Sequence, residues 1–244
     1  APGADVTIDS ENPSSNVLYA QWEPSTRTIV ATKKWTGGNS SVYFPVQLIL
    51  YRSVNDGDPV EVPATAYVSY SYTPLTNGSA TYTYTWTGLA THDTNHNEYT
   101  YTINEPKINH FDKVIDNTTF TITNSYHPEA GNRLALKVWD GNADNTFAIT
   151  FNLYKHVAGV SPDTLVYSTE LDGESQGACG SGGCELQPWV AKWAGLPSVD
   201  DQLRPITYYV VETGVPNGYV VNCVPDQTID NTNYLAVCTN KYTG

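Results

Sequence analysis

Polar and apolar residues alternate with a period of two along much of this chain. The pattern is clear in Thr81-Tyr-Thr-Tyr-Thr-Trp86, in Tyr99-Thr-Tyr-Thr-Ile103 and in Phe120-Thr-Ile-Thr-Asn124. A period of two sends successive side chains to opposite faces of an extended chain, so each run predicts a half-buried β-strand. Turn residues punctuate the runs at Gly37-Gly38-Asn39, Asn55-Asp-Gly-Asp58 and Pro216-Asn-Gly218. No stretch carries the 3.6-residue period of an amphipathic helix, and the expectation is an all-β protein.

The same markers occur twice in the same order. Thr32-Lys33-Lys34-Trp35-Thr36-Gly37-Gly38-Asn39 is echoed by Leu136-Lys137-Val138-Trp139-Asp140-Gly141-Asn142, and Trp86-Thr-Gly-Leu89 by Trp193-Ala-Gly-Leu196. Tyr101-Thr-Ile-Asn-Glu105 returns as Tyr208-Tyr-Val-Val-Glu212, and Thr123-Asn124-Ser125-Tyr126 as Thr239-Asn240-Lys241-Tyr242. An internal repeat of this length predicts two tandem domains, 25–128 and 129–244. The joint His127-Pro128-Glu129-Ala130-Gly131 is too short to let them drift far apart. Residues 1–24 fall outside the repeat. Val17-Leu-Tyr-Ala-Gln-Trp22 resembles the closing strand of an internalin-type B repeat. It reads equally as a tail leading into the first domain.

Composition narrows the function. Lys and Arg number 12 against 25 Asp and Glu, a formal net charge of -13, which argues against nucleic acid or an anionic membrane as partner. Eighteen tyrosines and no methionine fit pleated, half-buried surfaces. No apolar run approaches the roughly 20 residues that span a bilayer. Without an initiating Met or a signal peptide, the sequence reads as a region of something longer. All four cysteines, Cys179, Cys184, Cys223 and Cys238, fall in the second half. Outside the cell they are disulfide candidates with three possible pairings. A four-cysteine zinc site is the alternative, but the CxxC spacing it favours is absent.

Each repeat places three polar residues among apolar ones. Side chains at i and i+2 share a strand face. Lys33 therefore points with Trp35 and Lys137 with Trp139. Asn124 points with Ile122 and Tyr126, and Asn240 with Cys238 and Tyr242. Glu105 points with Tyr101 and Ile103, and Glu212 with Tyr208 and Val210. If the aromatics face the core, so do Lys, Glu and Asn. Such burial is costly unless the three serve one another. It drives the amine toward its neutral, nucleophilic form and the acid toward its protonated form. A neutral amine can attack the Asn side-chain carbonyl while the acid polarises it and moves protons, and ammonia leaves. The product is an amide between the first and last strands, with proximity rather than a cofactor driving it. Lys34 competes with Lys33, but the second repeat has Val138 at the matching position and so favours Lys33.

Both repeats resemble Cna-B-type domains, the stalk modules of collagen-adhesin and sortase-assembled pilin proteins. The match is most specific at Tyr208-Tyr-Val-Val-Glu212-Thr-Gly-Val-Pro216-Asn-Gly218-Tyr219, which resembles the pilin E-box. Ile122-Thr-Asn124-Ser-Tyr126 and Cys238-Thr-Asn240-Lys-Tyr242 resemble the closing asparagine strand. The resemblance implies two tandem Ig-like or prealbumin-like β-sandwiches. It further implies isopeptide bonds Lys33–Asn124 and Lys137–Asn240, promoted by Glu105 and Glu212. Glu105 departs from the pattern, because Asn-Glu-Pro stands where the longer E-box ending is expected.

The function implied is a rigid stalk in a Gram-positive, cell-wall-attached surface protein. Its partners would be neighbouring domains, with a host extracellular matrix protein or glycan as a further partner of the parent protein. Each domain acts on itself once, so this is not an enzyme. The rivals are a domain that binds a host protein or glycan directly, and an accessory module of a secreted carbohydrate-active enzyme. Weaker signals read as structure. Asp140-Gly-Asn-Ala-Asp144-Asn145 begins like a calcium loop but lacks its Gly and its bidentate Glu. His92 and His96 are four apart on a loop, and Trp22, Trp86, Trp189 and Trp193 read as packing residues rather than a sugar platform. No metal and no cofactor are expected.

Overall fold

Alternation becomes strand almost throughout the computed structural model of this chain, which describes residues 25–63, 67–75, 79–141, 147–174 and 182–244. The first half contains β1 (Thr26–Thr36), β2 (Ile49–Val54), β3 (Val60–Glu61), β4 (Tyr67–Leu75), β5 (Ser79–Ala90), β6 (Tyr99–Asn104), β7 (Phe111–Asp116) and β8 (Thr121–Tyr126). The second contains β9 (Ala130–Asp140), β10 (Ile149–Val157), β11 (Thr164–Leu171), β12 (Gly182–Gln187), β13 (Val190–Pro197), β14 (Ile206–Thr213), β15 (Tyr219–Ile229) and β16 (Thr232–Tyr242). The possible B-repeat strand up to Trp22, most of the calcium-like turn after Gly141, and Cys179 lie outside the described residues.

The period of two explains which face each strand buries. Along β5, Ala80, Tyr82, Tyr84 and Trp86 are buried while the intervening Ser and Thr positions are half-buried. Strand β14 does the same with Tyr208, Val210 and Glu212. The sequence Gly37-Gly38-Asn39 makes the turn out of β1. Both glycines have φ near +70° (72° and 67°); Gly37 lies against the Cβ and main chain of Tyr126 and Gly38 against its ring, so a side chain at either would be both strained and crowded.

The strands form four sheets in two matching pairs. A five-stranded sheet ordered β4-β5-β1-β8-β7 accompanies a three-stranded sheet β3-β2-β6. A five-stranded sheet ordered β12-β13-β9-β16-β15 accompanies β11-β10-β14. Each pair encloses its own apolar core, one around Trp35, Leu50, Trp86, Ile103 and Ile122, the other around Phe151, Leu153, Leu171 and Trp193. We refer to these β-sandwiches as the first and second units. Most sheet neighbours run antiparallel, but β1 lies parallel to β8 and β9 parallel to β16. In both units, therefore, the first and last strands are adjacent.

Repeated polar contacts hold the layers. The Tyr101 hydroxyl donates to the Ala90 carbonyl at 2.7 Å, and the Tyr208 hydroxyl to the Pro197 carbonyl at 2.9 Å. The second unit adds two devices. A disulfide joins Cys223 and Cys238, which face each other across β15 and β16. By chain-entropy reasoning, such a link across about 15 residues adds at most about 3 kcal/mol, and the hairpin already closes that loop. Glu185, with no exposed surface, accepts hydrogen bonds from the main-chain N–H of Asp172 (2.9 Å), Gly173 (3.2 Å) and Trp189 (2.6 Å). Burial pushes its carboxyl pKa up and these donors oppose the shift.

Glu185 therefore pins the turns after β11 and β12. Removing it takes the acceptor from three partly buried amide groups, at about 1 kcal/mol or more each. Glu185→Ala should destabilise the chain by roughly 3 kcal/mol or more in urea denaturation, while Glu174→Ala on the exposed loop should change stability by less than about 0.5 kcal/mol.

Candidate functional site

Strand register decides whether the six polar residues can meet. Lys33 on β1 pairs with Ile122 on β8, and Trp35 pairs with Asn124. In the second unit Lys137 pairs with Cys238, and Trp139 with Asn240. Each Lys is thus one diagonal step from its Asn on the neighbouring parallel strand. A diagonal step is about 7–8 Å between Cα atoms, which a long lysine side chain crosses to reach an amide on the same face. Glu105 follows the end of β6 and Glu212 lies on β14, both on the facing three-stranded sheet. The acid enters from one layer, and the amine and amide from the other.

All six are buried: Lys33 0%, Glu105 3%, Asn124 1%, Lys137 3%, Glu212 8% and Asn240 0% exposed. Lys34, the competing lysine, is exposed. In the first unit the Lys33 ammonium donates to Glu105 Oε1 at 3.2 Å. In the second, Lys137 Nζ lies 3.6 Å from Glu212 Oε1 and donates to the Val138 carbonyl at 2.9 Å. There the Asn240 amide also donates to Glu212 Oε1, at 2.6 Å, so one carboxylate oxygen touches both would-be reactants. Each amine rests over the Trp two residues along its strand, Lys33 over Trp35 at 4.5 Å and Lys137 over Trp139 at 4.1 Å.

The units also leave the same atoms unpaired. Among the described residues, Asn124 Oδ1, Glu105 Oε2, Asn240 Oδ1 and Glu212 Oε2 are buried with no hydrogen-bond partner. A buried amide oxygen with no donor is costly. The cost is relieved if the second carboxyl oxygen carries a proton and donates it to that amide. Removal from water lowers Lys33 and Lys137 from the ordinary 10.5 to about 8, against the opposing pull of Glu105 and Glu212. That shift is worth roughly 3 kcal/mol per amine at neutral pH. Burial also raises the Glu212 carboxyl, with Lys137 and Asn240 opposing. In the second unit both shifts favour moving a proton from amine to acid.

Sequence reasoning brought these residues together but missed other features. Cys238 lies beside the site, with Glu212 and Cys223, at the position that Ile122 occupies in the first unit. The two cysteines are bonded to each other and Cys184 is also disulfide-bonded, so they offer no free thiolates to zinc. Trp86 and Trp193 are buried in the two cores rather than displayed to a sugar. Lys113 donates to the Asn104 side chain and to the Glu105 carbonyl, and its charge helps lower Lys33. Nothing in the spacing of Lys113 signals that role.

The family model described as "Cna protein B-type domain" matches residues 29–125. No curated protein matches the sequence. Among solved structures, a single B repeat unit of the collagen-binding surface protein of Staphylococcus aureus is 22% identical; the alignment covers 90% of this chain and 100% of that one, with TM-score 0.32. A major pilin protein from Streptococcus pyogenes is 13% identical, covering 90% and 98%, with TM-score 0.33. The pilus backbone of Streptococcus pneumoniae is 15% identical, covering 90% and 45%, with TM-score 0.29.

Depressed lysines have a measurable consequence. In Asn124→Ala, Lys33 is an amine with no amide beside it on β8. Its folded-state value, about 8, lies below the ordinary 10.5, so the unfolded chain binds the proton more readily between the two. The full cost is present below about pH 8, and the variant gains stability as pH rises toward 10.5. Its Lys33 side-chain NMR shift should titrate near pH 8, and a midpoint near 10.5 would contradict the buried geometry.

Proposed function

We propose that both units, the first of which matches the Cna protein B-type domain model over residues 29–125, are self-crosslinking stalk modules of a Gram-positive surface protein. The observation that carries the reading is the recurrence, in two units of identical strand order, of a fully buried lysine, an amide and an acid. The bonds are Lys33–Asn124 and Lys137–Asn240. Glu105 and Glu212 promote them.

The reaction balances without a cofactor. The ammonium loses a proton to the carboxylate, and the neutral Nζ attacks the asparagine Cγ. The protonated acid supports the developing charge on Oδ1, a role the unpaired Oε2 and Oδ1 atoms support. A proton from Nζ passes through the carboxyl to Nδ2, and the C–N bond to the former amide nitrogen breaks. One ammonia leaves, one secondary amide remains, and no titrating amine is left inside the protein. The Asn240–Glu212 contact puts the acid at the departing nitrogen from the outset. Near-attack geometry inside a dry core supplies the rate.

A bond between the first and last strands suits a load-bearing role. Tension enters at the start of β1 and leaves at the end of β8, so the parallel pair is loaded in shear. The crosslink sends the load from Lys33 to Asn124 and bypasses the intervening strands. In the unfolded chain it closes a loop of about 90 residues, worth about 4–5 kcal/mol by analogy with a disulfide. The disulfide in the second unit supports an extracellular setting.

Intact mass of the purified, reduced chain tests the chemistry. The expected deficit from the sequence mass is one ammonia per unit, two in all. Glu212→Gln should restore the ammonia of the second unit alone, and Glu105→Gln that of the first alone. A full sequence mass in the parent chain would refute the reading, and an unchanged deficit in either variant would remove that acid from its role.

A further inference from the structure

The two units meet through a loop, and the first unit carries a second copy of that loop. Residues 198–205 of the second unit lie against the end of the first. The Tyr126 hydroxyl donates to the Asp200 carbonyl at 2.5 Å, the Asn39 N–H donates to the Asp201 carbonyl at 2.8 Å, and Leu203 packs against the first core. At the base of the loop, Ser198 N–H donates to the carbonyl of Glu129, where the chain enters the second unit, at 2.8 Å.

Residues 91–98 reproduce this loop contact by contact. Asp200 Oδ1 accepts from the main chain of Gln202 and Arg204, and Asp93 Oδ1 from that of Asn95 and Asn97. Leu203 N–H donates to the Asp200 carbonyl at 2.9 Å, and His96 N–H to the Asp93 carbonyl at 3.1 Å. Leu203 and His96 both take positive φ, 60° and 64°. Val199 bridges Pro205 as His92 bridges Glu98. Thr91 N–H donates to the carbonyl of Ser25, where the chain enters the first unit, at 3.0 Å. Leu203 is half-buried beneath its neighbour, whereas His92, Asn95 and His96 are exposed.

Spacing in the sequence supplies the occupant. Tyr126, the residue gripped by the 198–205 loop, stands three before Glu129 in Tyr126-His-Pro128-Glu129. Three before Ser25 stands Trp22, in Trp22-Glu-Pro24-Ser25. Aromatic residue, proline and the loop's anchoring carbonyl recur at the same intervals. We propose that the 91–98 loop is a docking surface for Trp22, so that the segment leading into the first unit is clamped by the same joint that connects the units. A carbonyl oxygen has two lone pairs. At Asp200 both are used, one by Leu203 N–H and one by the Tyr126 hydroxyl. At Asp93, His96 N–H takes one, and the donor we assign to the other is the indole N–H of Trp22. The exposed His96 stands at the loop position that Leu203 takes in the second unit. The inference is independent of the crosslinking chemistry. It makes the joint an element that recurs within this chain.

NMR on the isotopically labelled full chain tests it. Nuclear Overhauser contacts are expected from the Trp22 indole to His96 and Asn95. Trp22→Ala should shift the amide signals of 93–97 and leave those of 200–204 in place, while Tyr126→Ala should do the reverse. Absence of those contacts, contacts from Trp22 to another surface, or an unshifted 93–97 loop in Trp22→Ala would each overturn the proposal. Both variants leave the buried Lys, Glu and Asn intact, so an unchanged ammonia deficit separates failure of the joint from failure of the crosslink.

Discussion

A lysine with no exposed surface must either give up its proton or hold a carboxylate close enough to offset the loss of water, and Lys33 and Lys137 have both options beside them. Much of the architecture serves that constraint. The first and last strands of each unit lie parallel and adjacent, which puts the asparagine one diagonal step from the amine. The acid arrives from the facing sheet, which closes the site to water. A tryptophan two residues on covers the amine with its ring. Left as an ion pair, this arrangement is costly, because desolvation of two charges rivals their attraction. In the crosslinking we propose, condensation to an amide would remove both the titrating amine and the unpaired amide oxygen's need for a charged neighbour. The uncondensed arrangement is the costlier one.

The units differ in how far they prepare it. In the second, Glu212 contacts amine and amide together, and burial raises its carboxyl. In the first, Glu105 contacts Lys33 while Lys113 holds the adjacent Glu105 carbonyl. The departure of the Asn-Glu-Pro segment from the longer acidic motif thus coincides with a different set of contacts around the acid. The second unit also gains the Cys223–Cys238 link at the edge of its site, where the first has Ile122.

Much of this was readable in the residues because period and repetition are local. Alternation in Thr81-Tyr-Thr-Tyr-Thr-Trp86 fixes which face is buried, and the i, i+2 rule then places Lys33 with Trp35 and Asn124 with Ile122. Comparing the repeats favours Lys33 over Lys34; Lys33 is buried and Lys34 exposed. What could not be read depends on contacts across layers. The three main-chain donors to Glu185 come from two separate turns. The pairing of Cys223 with Cys238 depends on the register of β15 against β16. The grip of residues 198–205 on Tyr126 joins positions more than 70 apart. A buried carboxylate and a surface one look alike in sequence until the fold shows what surrounds them.

The most direct measurement is a crystal structure at a resolution that separates bonded from non-bonded atoms at Lys33 and Asn124, and at Lys137 and Asn240. The account predicts continuous, planar density joining each Nζ to the asparagine Cγ at the length of an amide bond, about 1.33 Å. Separate side chains, with Nζ and Cγ at van der Waals distance in both units, would contradict it.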